Sequence, residues 1–123
     1  MSSNLSIAIV RMHHISNPSK FRRLKRFALH CNVSGLVKKG KPGIVVFDGS
    51  VPSIKAFLAN ARGLRYLEFH HVDTRPLPDP KVRVADAISG LHEVDGISDL
   101  VEATQKLSLK DWFRQSLGMS GPG

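Results

Sequence analysis

The apolar positions of the chain change period at recognisable points. Leu5 to Ile15, LSIAIVRMHHI, has the β-branched content and length of a central strand. Asn17-Pro18 then supplies an N-cap and a proline for the first helical position. Phe21, Leu24, Phe27, Ala28 and Cys31 follow at three- and four-residue steps, the buried face of a helix. Arg22, Lys25 and Arg26 lie off that stripe and Lys20 and Arg23 flank it, so the helix has a dry side and a cationic side. Asn32 to Gly35 closes it, and Leu36-Val37 opens a short strand that runs into a lysine-rich turn, Lys38 to Gly43. Ile44 to Asp48 returns from the turn as a buried strand.

Ser50 is placed to cap a second helix, with Pro52 tolerated in its first turn. Ile54, Phe57, Leu58 and Ala61 repeat at amphipathic spacing, while Lys55 and Arg62 point away from that face. After Gly63, Arg65 to Val72 reads as a further strand with Leu67 and Phe69 on one side. The order β-α-β-β-α-β predicts an α+β, ferredoxin-like fold: an antiparallel sheet with two helices on one face, its first and last strands adjacent and its other face open.

Arg75-Pro76-Leu77-Pro78-Asp79-Pro80 breaks the pattern as an extended linker, and Lys81 to Gly96 is too weakly patterned to assign an element. Ser98 is expected to cap a short helix through Leu107, with Leu100, Val101, Thr104 and Leu107 inward. Ser108-x-x-Asp111 has the form of a capping box opening another through Leu117, which carries Trp112 and Phe113. The expected organisation is therefore a core over residues 1–75, an irregular segment over 76–97 and a C-terminal helical extension over 98–123, packed together as one domain. The alternative use of the extension is a partner-binding surface centred on Trp112 and Phe113.

Charge changes this picture more than composition does. The chain has 123 residues and a formal net charge of +8, but the charge is uneven. Met1 to Arg65 holds twelve Lys and Arg against one acid, Asp48, a balance of +11; Tyr66 to Gly123 holds six against nine, a balance of −3. A cationic half is what a polyanion-binding surface requires. One cysteine, Cys31, leaves no internal disulfide and fits a reducing, intracellular compartment, nucleus or cytoplasm. No run of eighteen apolar residues offers a membrane span.

Candidate chemistry is sparse. His13-His14 and His70-His71 fall on neighbouring strands, but no Cys-x-x-Cys, His-Glu-x-x-His or carboxylate pair completes a metal site, so no metal and no cofactor is expected. Gly40-Lys41-Pro42-Gly43 lacks the Lys-Ser/Thr and following helix of a phosphate loop. No nucleophile stands in a catalytic context, and the chain is expected not to be an enzyme. Phe47 alone does not make the paired stacking aromatics of an RNA-recognition motif.

His13-His14-Ile15, the basic helix, Gly35-Leu36, Gly40-Lys41-Pro42-Gly43, an apolar strand ending in Gly49, then Phe57 and Arg62-x-Leu64 together resemble domain of unknown function 1115. This is the C-terminal domain shared by the RWD-domain-containing protein 2 family and the spliceosomal pre-mRNA-processing factor three. The resemblance covers Ser6 to about Asp73 and continues more loosely from Asp99 to Gly118. It implies a ferredoxin-like core with appended elements. In the splicing factor the domain binds paired small nuclear RNAs, including a single-stranded end; in the RWD-linked branch its activity is not established. Neither an RWD domain nor the splicing factor's long N-terminal region is present, which leaves a stand-alone domain or a fragment of something longer.

Charge and resemblance together lead to the expectation of a monomeric, non-enzymatic RNA-binding module, ribonucleoprotein- or splicing-related. Phosphates would be held by Arg22, Lys25 and Arg26 of the first helix, by Lys38, Lys39 and Lys41 of the turn, and by Arg62 and Arg65. Arg11, His14 and His70 would supply any base contacts. The alternative is a protein-interaction or adaptor domain with no nucleic-acid role, using Trp112 and Phe113.

Overall fold

The computed structural model describes residues 5–119. The elements are β1 (Leu5–Met12), α1 (Pro18–His30), β2 (Ser34–Lys38), β3 (Gly43–Ser50), α2 (Val51–Arg62), β4 (His70–Pro76), β5 (Gly90–Val94), α3 (Ile97–Lys106) and α4 (Lys110–Ser116). The fold is α+β, a ferredoxin-like core with a C-terminal helical extension, and its five strands lie in the order β4-β1-β3-β2-β5. β3 is antiparallel to both β1 and β2, and β1 is antiparallel to β4.

Alternation along β1 and β3 divides the core in two. Ala8, Val10, Met12, Val45 and Phe47 face α1 and α2, meeting Phe21, Leu24, Ala28, Ile54, Phe57, Leu58 and Ala61. Phe47 and Phe57 meet edge to face, ring centroids 4.8 Å apart, in the middle of this layer. Both helices start as expected: the Asn17 side chain accepts from the Lys20 amide at 3.0 Å, and the Ser50 hydroxyl from the Ser53 amide at 3.2 Å.

The opposite face of the sheet is not open. Ile7, Ile9, Ile44 and Val46 are buried beneath Leu77, Val84, Ala85, Leu100, Leu107, Leu109 and Phe113. A strand pair apolar on both faces needs cover on both, and residues 77–119 supply the second layer. Asp48 fixes how that layer crosses the sheet. Fully buried, it accepts from Arg83 Nε and from the Val84 amide, each at 2.8 Å, and pairs with the charge of Arg83 Nη2 at 2.8 Å.

Other boundaries move for local reasons. β1 stops at Met12, short of Ile15, which instead forms an isolated bridge with Gly40 across the mouth of the turn. The strand expected at Arg65–Val72 begins only at His70, because Arg65 and Glu68 take positive φ of 58° and 55° and break the extended run. That kink buries Tyr66 and leaves Leu67 68% exposed. The weakly patterned stretch Lys81 to Gly96 contains β5, which pairs in parallel with β2. α3 begins after Gly96, not Ser98, and the Asp99 carboxylate accepts from the Gly96 amide at 3.0 Å. The Ser108 box does not form: Ser108 adopts φ 62° as the corner between α3 and α4, and Leu109 precedes α4 with no side-chain cap.

Candidate functional site

The expected phosphate-binding cations are engaged in different contacts. Arg22, Lys25 and Arg26 share, by helical periodicity, the side of α1 that carries Leu29. This side faces β5: Lys25 Nζ lies 3.5 Å from Glu93 of β5, and a Cβ added to Gly90 of β5 would sit 2.9 Å from Leu29 Cδ2. Glu93 also pairs with Lys39 Nζ at 3.7 Å, so one acid ties the helix to the turn. Lys38 is turned inward, donating from Nζ to the Pro42 carbonyl at 2.9 Å and to the Lys39 carbonyl at 3.2 Å; it closes the turn. Lys41 lies apart, exposed beside a cleft of about 270 Å³ lined by Arg11, His13 and Glu68.

Arg62 is the last residue of α2, and Arg65 lies three residues beyond it. The Arg62 guanidinium lies 5.7 Å from the centre of the Phe69 ring, and the Arg65 carbonyl accepts from Lys20 Nζ at 3.3 Å. Arg11 and His70 are cross-strand partners on β1 and β4, and His14 is reached from them through His13, whose ring meets it edge to face at 5.4 Å. His13 Nδ1 lies 3.2 Å from Glu68. His71 bonds to Thr74, and burial followed by the nearby Arg62 charge pushes its pKa below the usual imidazole range. Among the described residues no three His, Cys, Asp or Glu side chains gather as metal ligands.

Phe113 is fully buried in the second layer, so it offers a partner nothing. Trp112 is half-buried, donates from Nε1 to Asp73 at 2.7 Å and lies under Arg75 at 5.9 Å. Of the two residues expected to form an adaptor surface, Phe113 is packed within the second layer and Trp112 only partly so. Sequence reasoning passed over the β5 edge. β5 has β2 as its one ladder partner among the described strands, so its outer row of N–H and C=O groups is unpaired. Beside it stand Leu29, 57% exposed, and Ile88, 59% exposed. The alternation in Gly90-Leu91-His92-Glu93-Val94 was the available signal, too short to separate from loop.

Among the described residues no helix is long and apolar enough to cross a membrane. No family model and no curated protein matches the sequence. Solved structures do match in fold. One is BlrB, a BLUF protein in its dark state, at 14% identity and TM-score 0.60 over 97% of this chain and 91% of that one. The BlrP1 BLUF structure gives 13% identity and TM-score 0.57 over 92% and 80%. Klebsiella pneumoniae BlrP1 with FMN and cyclic diGMP gives 12% identity and TM-score 0.58 over 82% of this chain and 29% of that one. These neighbours overturn the expected RNA-binding module and its splicing and ribonucleoprotein role. The physical reason agrees: the sheet face on which bases were to lie is roofed by residues 77–119. What the likeness to these BLUF proteins establishes is a shared fold.

Proposed function

We propose that this chain is a non-enzymatic protein-interaction module that adds an extended, acidic segment of a partner protein to the outer edge of β5. The observation that carries this is an unpaired strand edge bordered by exposed Leu29 and Ile88 and by the cationic side of α1. Main-chain hydrogen bonds would supply affinity, and Arg22 and Arg26, exposed and without a carboxylate partner among the described residues, would select acidic side chains. The other sheet edge is less receptive. β4 ends at Pro76, and its register with β1 shifts between Ile9 and Val10.

FMN, present in one fold neighbour, fits neither the core nor the three clefts formed by the described residues. Phe21, Leu24, Phe47, Phe57 and Leu58 fill the layer between the sheet and its two helices. The clefts of about 270 and 240 Å³ are lined largely by polar side chains and a third holds about 180 Å³, where a flavin asks for roughly 300–1,000 Å³ of mainly apolar enclosure. No flavin chemistry is assigned to this chain. Membership of the domain of unknown function 1115 family belongs to the same proposal, supported by the Gly-Lys-Pro-Gly block at the turn that Lys38 closes. So does an intracellular location in nucleus or cytoplasm, supported by the lone free thiol.

The test is fluorescence anisotropy with a labelled eight-residue peptide of alternating Glu and Val, against its Lys-for-Glu counterpart and a single-stranded RNA of equal length. The acidic peptide should bind, weaken with salt, and lose about tenfold in affinity in R22E/R26E and again in I88E. The amides of β5 should gain hydrogen-exchange protection in the complex. Absence of acidic-peptide binding, tighter binding of the RNA, or indifference to I88E would each refute the proposal.

A further inference from the structure

A second site lies at the opposite end of the sheet from the lysine-rich turn. Asn32, Ser34, Gly49, Ser50, Ser53, Arg83 and Ser89 line a cleft of about 240 Å³ where α2 begins. Polar side chains from four separate stretches converge there, three of them serines besides Ser34. Arg83 uses Nε and Nη2 on Asp48, which fixes its guanidinium in the wall; its side chain keeps 18% exposure. Ser50 caps α2, and its hydroxyl lies 2.9 Å from that of Ser53. Ser89 donates to the Asn32 side chain at 3.2 Å. The positive end of the twelve-residue α2 therefore opens on this cleft.

Ser34 is the independent sign of a ligand. It is 2% exposed, lines the cleft, and its Oγ is buried with no hydrogen-bond partner. A buried hydroxyl left unpaired costs about 1–3 kcal/mol, and buried polar groups are nearly always satisfied. Its cross-strand partner Asp48 accepts from Arg83 and Val84 and makes no hydrogen bond with Ser34 Oγ. Hydroxyl donors, an arginine fixed from behind and a helix N-terminus are the combination that tetrahedral oxyanions bind.

We propose that this cleft binds a phosphate group, with Ser34 Oγ donating to one oxygen and Arg83, Ser53 and the start of α2 facing the others. The site is independent of the β5 edge. Two sources present the same chemistry, free phosphate and a phosphorylated serine side chain.

The test is a ¹H–¹⁵N titration of the full chain with inorganic phosphate and, separately, O-phosphoserine, at constant ionic strength set with chloride. Saturable shifts at Ser34, Ser50, Ser53 and Asn32 are expected with at least one of them. Stronger binding of phosphate assigns the free anion, and stronger binding of O-phosphoserine assigns the modified side chain. Ser34→Ala should weaken binding about tenfold while the melting temperature without ligand stays level or rises, since the orphaned hydroxyl is gone. Ser53→Ala is the second variant, expected to weaken binding while the Ser50 cap of α2 remains. A merely structural Ser34 would show the reverse, a lower melting temperature and unchanged phosphate response. That result, or no saturable shift with either compound, overturns the proposal.

Discussion

Replacing Asp48 by alanine tests the device that ties the second layer to the sheet. The carboxylate is fully buried, accepts hydrogen bonds from Arg83 Nε and the Val84 amide, both at 2.8 Å, and forms an ion pair with Arg83 Nη2 at 2.8 Å. Alanine would leave a largely buried guanidinium without its counter-charge and a buried N–H without an acceptor. Removing one partner of a buried pair costs about 3–5 kcal/mol. With an unfolding entropy of about 2.1 cal/mol/K per residue, a loss near 4 kcal/mol lowers the melting temperature by about 15 °C for a chain of 123 residues. The assay is urea unfolding at pH 7 followed by circular dichroism, with Arg83→Met and the double mutant completing the cycle. The double mutant should be no less stable than D48A, because neither charge is then stranded. A loss in D48A below about 1 kcal/mol would refute the anchoring role.

The same residue has a pH signature. Burial raises the Asp48 pKa above its ordinary 3.8, outweighing the Val84 and Arg83 hydrogen bonds that lower it. Between 3.8 and the raised folded value the native state binds the proton that the unfolded chain does not. Stability of the wild type relative to Asp48→Asn should therefore rise as pH falls through that window, and level off below 3.8. A gap that narrows on acidification would show a depressed pKa and a net favourable ion pair.

Three further outcomes are expected. Gly35→Ala should destabilise by about 3 kcal/mol in the same assay, because its Cβ would lie 2.3 Å from the Val46 carbonyl oxygen and 2.6 Å from Phe47 Cα, backbone atoms that cannot step aside; a neutral effect would refute this close approach of β2 and β3. Tyr66, the single tyrosine, has its pKa pushed up to about 12 by burial, so absorbance at alkaline pH should titrate near 12, and its contribution to stability should fall as pH rises from 10 toward 12. Trp112→Phe removes the 2.7 Å bond to Asp73 and should cost about 0.5–1 kcal/mol in urea unfolding, with the core still folded.

What the sequence alone determined is what short-range chemistry controls. The two helices of the core were legible because apolar spacing, Asn17 and Ser50 caps and Pro18 and Pro52 all act within one or two turns. The apolar run of β3, the lysine-rich turn and the ferredoxin-like order followed from the same local signals. Only the tertiary structure decided the rest. Positive φ at Arg65 and Glu68 moved the last core strand, and nothing in those side chains announces it. β5 exists because β2 offers it an edge, a pairing 56 residues distant in sequence that leaves little trace in five residues of its own. The lysines looked alike as a run of charge, yet Lys38 closes a turn, Lys39 meets Glu93 and Lys41 faces a different cleft. Charge counted along a chain adds without regard to direction, whereas a binding surface depends on where each side chain points, and that is settled by packing.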